Sequence, residues 1–172
     1  MSDALILVDY KDRQIGSCDK ETAHREKKRH RAFSVFIYHG NRMLIQMRNP
    51  QKYHSGGLWA NACCSHPRLG EELTEAVERR MMEEIGVSCG VEELFSFTYF
   101  TKFSDRMYEY EFDHVFLGDY DGKILPDPEE IAQVRWIELE ELKRELTECP
   151  EQFSSWFLIA APRVIEEIEK RA

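Results

Sequence analysis

Between Trp59 and Val87 the chain reads WANACCSHPRLGEELTEAVERRMMEEIGV, and most of the side chains able to do chemistry are gathered there. Two adjacent thiols, Cys63 and Cys64, precede His66, and a segment rich in carboxylates and arginines follows. A thiol and an imidazole in reach of each other can hold or pass a proton. Carboxylates and guanidinium groups brought to one place can hold a divalent cation or an anionic ligand. If residues 60–66 are extended, Ala62, Cys64 and His66 share one face and Cys63 turns to the other. That makes Cys64 the thiol that can meet His66, and leaves Cys63 as a small buried hydrophobe.

The element that must carry the charged groups is a helix. Leu73, Val77, Met81 and Ile85 recur every four residues and drift over roughly 120° of a wheel turning ~100° per residue, forming one apolar stripe. Gly86 stops it. Arg79 and Glu83 fall opposite the stripe, as an i,i+4 pair on a solvated face. Glu84 lies inside the apolar arc and Arg80 on its edge, where a charge needs a partner or an ion. Either a buried ion pair closes this helix onto a sheet, or the pair belongs to a metal or anion site; the second reading is favoured.

Around this helix the chain alternates strands and turns. Residues 4–8, a turn at Asp9–Asp12 and a return through Ile15 predict an opening hairpin. Lys20 and a basic run from His24 to Arg31 follow, containing His24 and His30; no aromatic residues interleave with its charges, which argues against a nucleic-acid patch. Residues 31–39 and 43–47 predict a second hairpin turning at His39–Arg42. Arg48 and Lys52 then stand in a loop before Ser55-Gly56-Gly57, either as ordinary surface cations or as contacts for an anionic ligand such as a diphosphate.

Beyond the helix, residues 94–103 and 107–117 read as two long aromatic-rich strands. Pairing Phe103 with Met107 across a three-residue loop sets Tyr99 opposite Glu111 and Thr101 opposite Glu109. Glu109, Glu111 and Asp113 then share one face with Phe95, Phe97 and Tyr99, so the acids line a shielded pocket rather than open water. A short strand at Val134–Ile137, an amphipathic helix at 138–146 and a C-terminal helix opened by Pro150, from about Glu151 to Lys170 and kinked near Pro162, complete the chain. Trp156 stands there with Phe153, Phe157 and Ile159, and core packing is its default role.

From Ser65 onward the central stretch resembles the signature helix of the Nudix superfamily, with Glu71, Arg79, Met81, Glu83, Glu84, Gly86 and Val87 in register. Ser65 stands where the signature opens with Gly, and Arg80 where Nudix hydrolases place a metal-holding Glu. Exchanging an acid for a cation reverses the local charge logic and speaks against diphosphate hydrolysis. With Trp59, Asn61, Cys64-Ser65-His66-Pro67 and Leu69-Gly70-Glu71, these departures are similar to one branch, the type I isopentenyl-diphosphate isomerases. The resemblance implies a single α/β domain over residues 1–172, a Nudix-like mixed sheet flanked by helices. It implies interconversion of isopentenyl and dimethylallyl diphosphate by protonation and deprotonation through a tertiary carbocation. Cys64 and Glu111 would be the acid and base, with Tyr99 beside Glu111 and the π face of Trp156 toward the cation. One divalent metal, Mn²⁺, Zn²⁺ or Mg²⁺, would fall to His24, His30, His66, Glu109 and Glu111. Glu84 would help hold Mg²⁺ against the diphosphate, with Lys20, Arg48, Lys52, Arg68 and Arg80 as cationic contacts.

Composition agrees with such a reading without demanding it. At 172 residues, 42% hydrophobic, the chain can build one proper core. A net charge of −9 disfavours a nucleic-acid or anionic-membrane partner. The five cysteines lack a paired framework and suit a reducing compartment. No apolar run reaches the roughly 20 residues of a membrane span, and the N-terminal residues lack a signal-peptide pattern. A cytoplasmic monomer acting on a small diphosphate is expected.

Overall fold

A computed structural model describes residues 3–171. The opening hairpin forms as expected, β1 (Leu5–Val8) antiparallel to β2 (Gln14–Cys18). A short helix, α1 (Lys20–Arg25), follows, its first turn capped by Asp19, which accepts from the Thr22 amide at 2.8 Å. The second hairpin is also present: β3 (His30–His39) turns through Gly40 and Asn41 into β4 (Arg42–Arg48). Gly40 has φ of 57°, the left-handed backbone that a tight two-residue turn requires.

Among the described residues nine strands form one sheet, with β3 and β4 at its middle. β3 pairs with β6 (Cys63–Ser65) and runs parallel to β8 (Met107–Asp119), from His30 opposite Glu111 to Tyr38 opposite Asp119. β4 pairs with β5 (Trp59–Asn61) and β9 (Ile131–Glu138), and β7 (Glu92–Ser104) lies against β8. Because β3 is covered on both faces, it reads as a nearly continuous apolar run instead of an alternating one.

Helices cover both faces. On one, α2 (Leu73–Ile85) sets Val77, Met81 and Ile85 against Phe33, Val35, Ile37 and Cys63. Gly86 ends it at φ 64°, its amide donating to the Met81 and Met82 carbonyls. On the other, α3 (Leu139–Glu148) and α4 (Ser155–Arg171) set Leu142, Trp156, Phe157, Val164 and Ile168 against Phe36, Met43, Ile45 and Val115. Each fully buried aliphatic or aromatic side chain contributes about 1.5–3 kcal/mol relative to exposure. The mixed sheet flanked by helices matches the expected fold class. Among the described residues no helix is long and apolar enough to cross a membrane.

Four local expectations change. Residues 60–66 are not one strand: the chain passes from β4 to β3 as a partner at Ala62, so Ala62 packs with Cys63 on the α2 side and not with Cys64. The β7–β8 turn is shorter than expected, with Ser104 opposite Met107. A bulge at Phe103 restores the register, so Tyr99 still faces Glu111. Pro150 opens a 3-10 turn at Pro150–Gln152, and α4 begins only at Ser155 because Phe153 bridges to Trp59. Ile159 points outward, about half exposed.

Candidate active site

The parallel pairing of β3 with β8 decides the geometry. It places His30 level with Glu111, and the alternation of β8 turns Glu109, Glu111 and Asp113 inward, all buried. β6 lies along the other side of β3 and sets Cys64 opposite Ser34. Glu109, Glu111, Ser34 and Cys64, with Tyr99, His54, His66 and Trp156, line a cavity of about 210 Å³, and Lys20, Arg48, Lys52, Arg80, Glu84 and Glu130 line it too, while His24, His30 and Asp113 stand behind this lining.

One end of the cavity is imidazole and carboxylate. His66 Nε2 lies 2.9 Å from Glu111 Oε1, and His30 Nε2 lies 3.5 Å from the same oxygen. The Tyr99 hydroxyl donates to Glu111 Oε2 at 3.1 Å and also to Glu109. Burial pushes Glu111 up, but the imidazoles of His30 and His66 beside it outweigh this and hold its carboxyl well below the usual range. Burial also opposes the charged form of His30, which Glu111 nonetheless raises. In His66 burial wins and the imidazole is lowered. Tyr99 is pushed well above its ordinary value, first by burial and then by Glu111 and Glu109.

Unsatisfied nitrogen marks this end as a place for a cation. His24 sits on α1, fully buried, with neither ring nitrogen partnered, and burial lowers it to about 3. His30 Nδ1 is 2.9 Å from the Lys28 carbonyl, so that nitrogen donates and Nε2 is the one aimed inward, without a hydrogen-bond partner. Donor atoms of His30, His66 and Glu111 lie within 4.8 Å of one another. A mixed imidazole and carboxylate set fits a divalent cation.

The other end is cationic. Arg80 pairs with Glu84, with Glu83 at 2.8 Å and with Glu130 at 3.5 Å, so the buried ion pair and the cavity wall are the same residues. Burial raises Glu84 even so. The Arg48 guanidinium lies 5.1 Å from the centre of the Trp156 ring, and the Nε–H groups of Arg48 and Arg80 are buried without acceptors. Lys52 pairs with Glu130, and Lys20 is lowered by burial and then by Lys52. Guanidinium donors with no acceptor beside two lysines suit an anion.

The thiols separate as their strand requires. Cys64 reaches the cavity, and burial pushes its thiol up, so it stays protonated. Cys63 is fully buried against α2. Trp156 is buried too, its indole N–H donating to Asn61 Oδ1 at 3.0 Å while Asn61 donates to the Val35 and Cys63 carbonyls. That bond fixes the ring as one wall of the cavity.

Of the residues expected from sequence, Arg68 lies elsewhere: its guanidinium meets Asp3 at 3.1 Å, because the 66–71 turn points it outward. Arg79 is not simply solvated either. It grips Glu71 with two bonds of 2.7 and 2.9 Å and only secondarily Glu83 at 3.2 Å, bracing the loop before α2. Two residues were missed. His54 Nε2 lies 2.7 Å from Glu109 Oε2, and Glu130 joins Lys52 to Arg80. The imidazole beside Lys52 was a signal for the first. Glu130, in a turn of ordinary surface composition, gave none.

The NUDIX domain pattern matches residues 28–157. The isopentenyl-diphosphate Delta-isomerase 2 of Aromatoleum aromaticum is 45% identical over 166 residues, 96% of this chain and 88% of its own. The isopentenyl-diphosphate Delta-isomerase of Burkholderia multivorans is 44% identical over 158 residues, 91% of this chain and 90% of its own. Among solved structures, DR0079 of Deinococcus radiodurans has a TM-score of 0.76 at 20% identity, covering 96% of this chain and 98% of its own, a likeness of fold. On the domain match and these two relatives, the chain belongs to the Nudix family, in its isopentenyl-diphosphate Delta-isomerase branch.

Proposed function

We infer that the protein interconverts isopentenyl diphosphate and dimethylallyl diphosphate. The observation that carries this is one cavity holding the Cys64 thiol, the Glu111 carboxylate bonded to Tyr99, and the side chains of Arg48 and Arg80, whose buried Nε–H groups lack acceptors. The relatives named above are isomerases, and Arg80 occupies the position where a hydrolase of this family carries a metal-holding acid.

The chemistry needs one proton delivered to the terminal carbon of the double bond and another removed from C2. A tertiary carbocation lies between these steps. Cys64 and Glu111 stand on the two strands that flank β3, so a substrate lying across β3 meets both. Together they give and take the two protons. Tyr99 holds Glu111 in place and can share its proton. Trp156, kept flat against the cavity by Asn61, faces the positive charge, a contribution of order 1 to 2 kcal/mol in a dry site. Arg48, Lys20, Lys52 and Arg80 orient the diphosphate.

His30, His66 and Glu111 fit a divalent ion, Mn²⁺, Zn²⁺ or Mg²⁺, with His24 and Glu109 as further ligands in this reading, and Glu84 would help hold Mg²⁺; bound there, the ions would supply positive charge against the diphosphate and the clustered carboxylates. A cytoplasmic monomer belongs to the same reading, in keeping with five free thiols among the described residues.

The test is incubation with Mg²⁺ and isopentenyl diphosphate in D₂O, following the product by proton NMR and free phosphates in the same tube. Deuterium-labelled dimethylallyl diphosphate without phosphate release is expected. Release of pyrophosphate or monophosphate would overturn the isomerase in favour of a hydrolase.

A further inference from the structure

His54 belongs to two cavities at once. It lines the reaction cavity, where its Nε2 lies 2.7 Å from Glu109. It also lines an open groove of about 690 Å³ on the outer side, walled by Tyr53, Leu58, Phe103, Met107, Phe153 and Leu158. The groove is apolar while the reaction cavity is charged, and the imidazole is the partition between them.

The partition is built. His54 stacks on Phe103 with ring centroids 4.4 Å apart and planes at 12°, and it meets Trp156 edge-on at 5.9 Å. Phe103 is the residue that bulges out of the β7–β8 ladder, which re-aims its side chain. Ser55 holds φ of 55°, a left-handed conformation unfavourable for a serine, and its hydroxyl lies 3.2 Å from His54 Nδ1. A bulge on one side and a strained residue on the other both serve to hold one ring. Its contact with Glu109, which also accepts from Tyr99, puts that ring beside the groups that would act on the hydrocarbon, and its backbone carbonyl accepts from Arg48 at 3.4 Å.

We propose that His54 sets the length limit of the substrate, closing the hydrocarbon end of the cavity against an apolar groove that would otherwise take a longer alkyl chain. The occupant meant is the extended hydrocarbon of a homoallylic diphosphate, because the groove continues the site where the five-carbon unit ends and its walls are apolar and aromatic. This rests on the isomerase reading given above.

The experiment compares isopentenyl diphosphate with an analogue whose branch methyl is lengthened by five carbons, measuring turnover by NMR and binding by calorimetry. In His54→Ala the preference for the longer compound, as a ratio of kcat/KM and of affinities, should rise by about 10- to 100-fold over the unaltered protein. His54→Phe keeps a wall without the bond to Glu109 and should keep the short-chain preference even where turnover falls. Adding Leu158→Trp to His54→Ala fills the groove and should return the ratio toward its starting value. An unchanged ratio in His54→Ala, with both compounds losing activity together, would reduce His54 to a support for Glu109 and overturn the proposal. If the unaltered protein fails to isomerise isopentenyl diphosphate, the functional reading falls, while the affinity ratio still decides whether His54 is the wall.

Discussion

Each face of strand β8 meets a set of imidazoles and carboxylates, Glu109 and Glu111 turned to one and His114 to the other, and the two sets differ in what they leave undone. On one face Glu109 and Glu111 meet His54, His66 and His30, and nitrogens of His24 and His30 remain buried without partners. On the other, His114 is bonded through Nδ1 to Glu93 at 2.6 Å and through Nε2 to Asp12 at 2.9 Å, and Arg31 closes the set by donating to Asp12 at 2.8 Å. The residue types are nearly the same. The second set is saturated, and saturation is what a structural tie needs. The first is convergent and incomplete, which is costly unless something else binds there. Residue type alone would rank the two faces equally; the count of unmet buried donors and acceptors does not.

The largest effect expected from this contrast is at Glu111. Glu111→Gln removes the carboxylate that is bonded to His66 and Tyr99 and faces His30, and should cut isomerisation by about 10³-fold or more. The divalent metal content of the purified protein, measured by elemental analysis, should fall with it. Retained metal and near-normal turnover would erase the distinction between the faces.

Next come the two thiols, which repeat the contrast on a smaller scale. Cys64→Ala should lower isomerisation by about 10²- to 10³-fold with little change in stability. Cys63→Ala should keep turnover within about threefold and cost roughly 1–2 kcal/mol in a denaturant titration, because it only opens a small hole beneath α2. Equal losses of turnover in both would refute the facing that β6 gives them.

How much of this was legible beforehand follows from which interactions are local. The apolar stripe of α2 and the stop at Gly86 depend on spacing alone, and both stand. The facing of Tyr99 and Glu111 stands although the turn is one residue shorter than the sequence predicts, because a bulge at Phe103 offsets the difference. What failed depends on partners distant in sequence. Ala62 turns to the other layer because the chain changes partner strand there, and the Arg68 side chain turns out to Asp3. His54 enters the site only because the loop before Trp59 folds back over Glu109, a contact spanning 55 positions that no periodicity encodes. The imbalance that separates the faces of β8 is likewise a property of the assembled sheet.

A third prediction concerns His24, the most incomplete member of the incomplete set. It holds no hydrogen bond that its removal would break. His24→Ala should therefore weaken divalent-metal binding by about 10- to 100-fold, read by competition with a chromophoric chelator. The denaturation midpoint of the metal-stripped protein should move little. A large loss of stability in the stripped form would mean that the ring is ordinary core.

The smallest effect on turnover belongs to the saturated face, and there the expected pattern is the reverse. His114→Gln keeps an amide in place of the ring, but that amide cannot span Glu93 and Asp12 together. The start of β7 and the turn at Asp12, itself at φ of 60°, lose their common anchor. With His114 mostly buried and Glu93 partly exposed, the tie is worth about 1–2 kcal/mol. A urea titration should show that loss while kcat/KM stays within about twofold and the metal content is unchanged. Because His114 is only three residues from Glu111 on the same strand, a change in metal content or turnover here would mean that the two faces are coupled through the β8 backbone. Catalysis that survives a measurable loss of stability would show that one strand keeps its structural histidine apart from its reactive carboxylates simply by alternating sides.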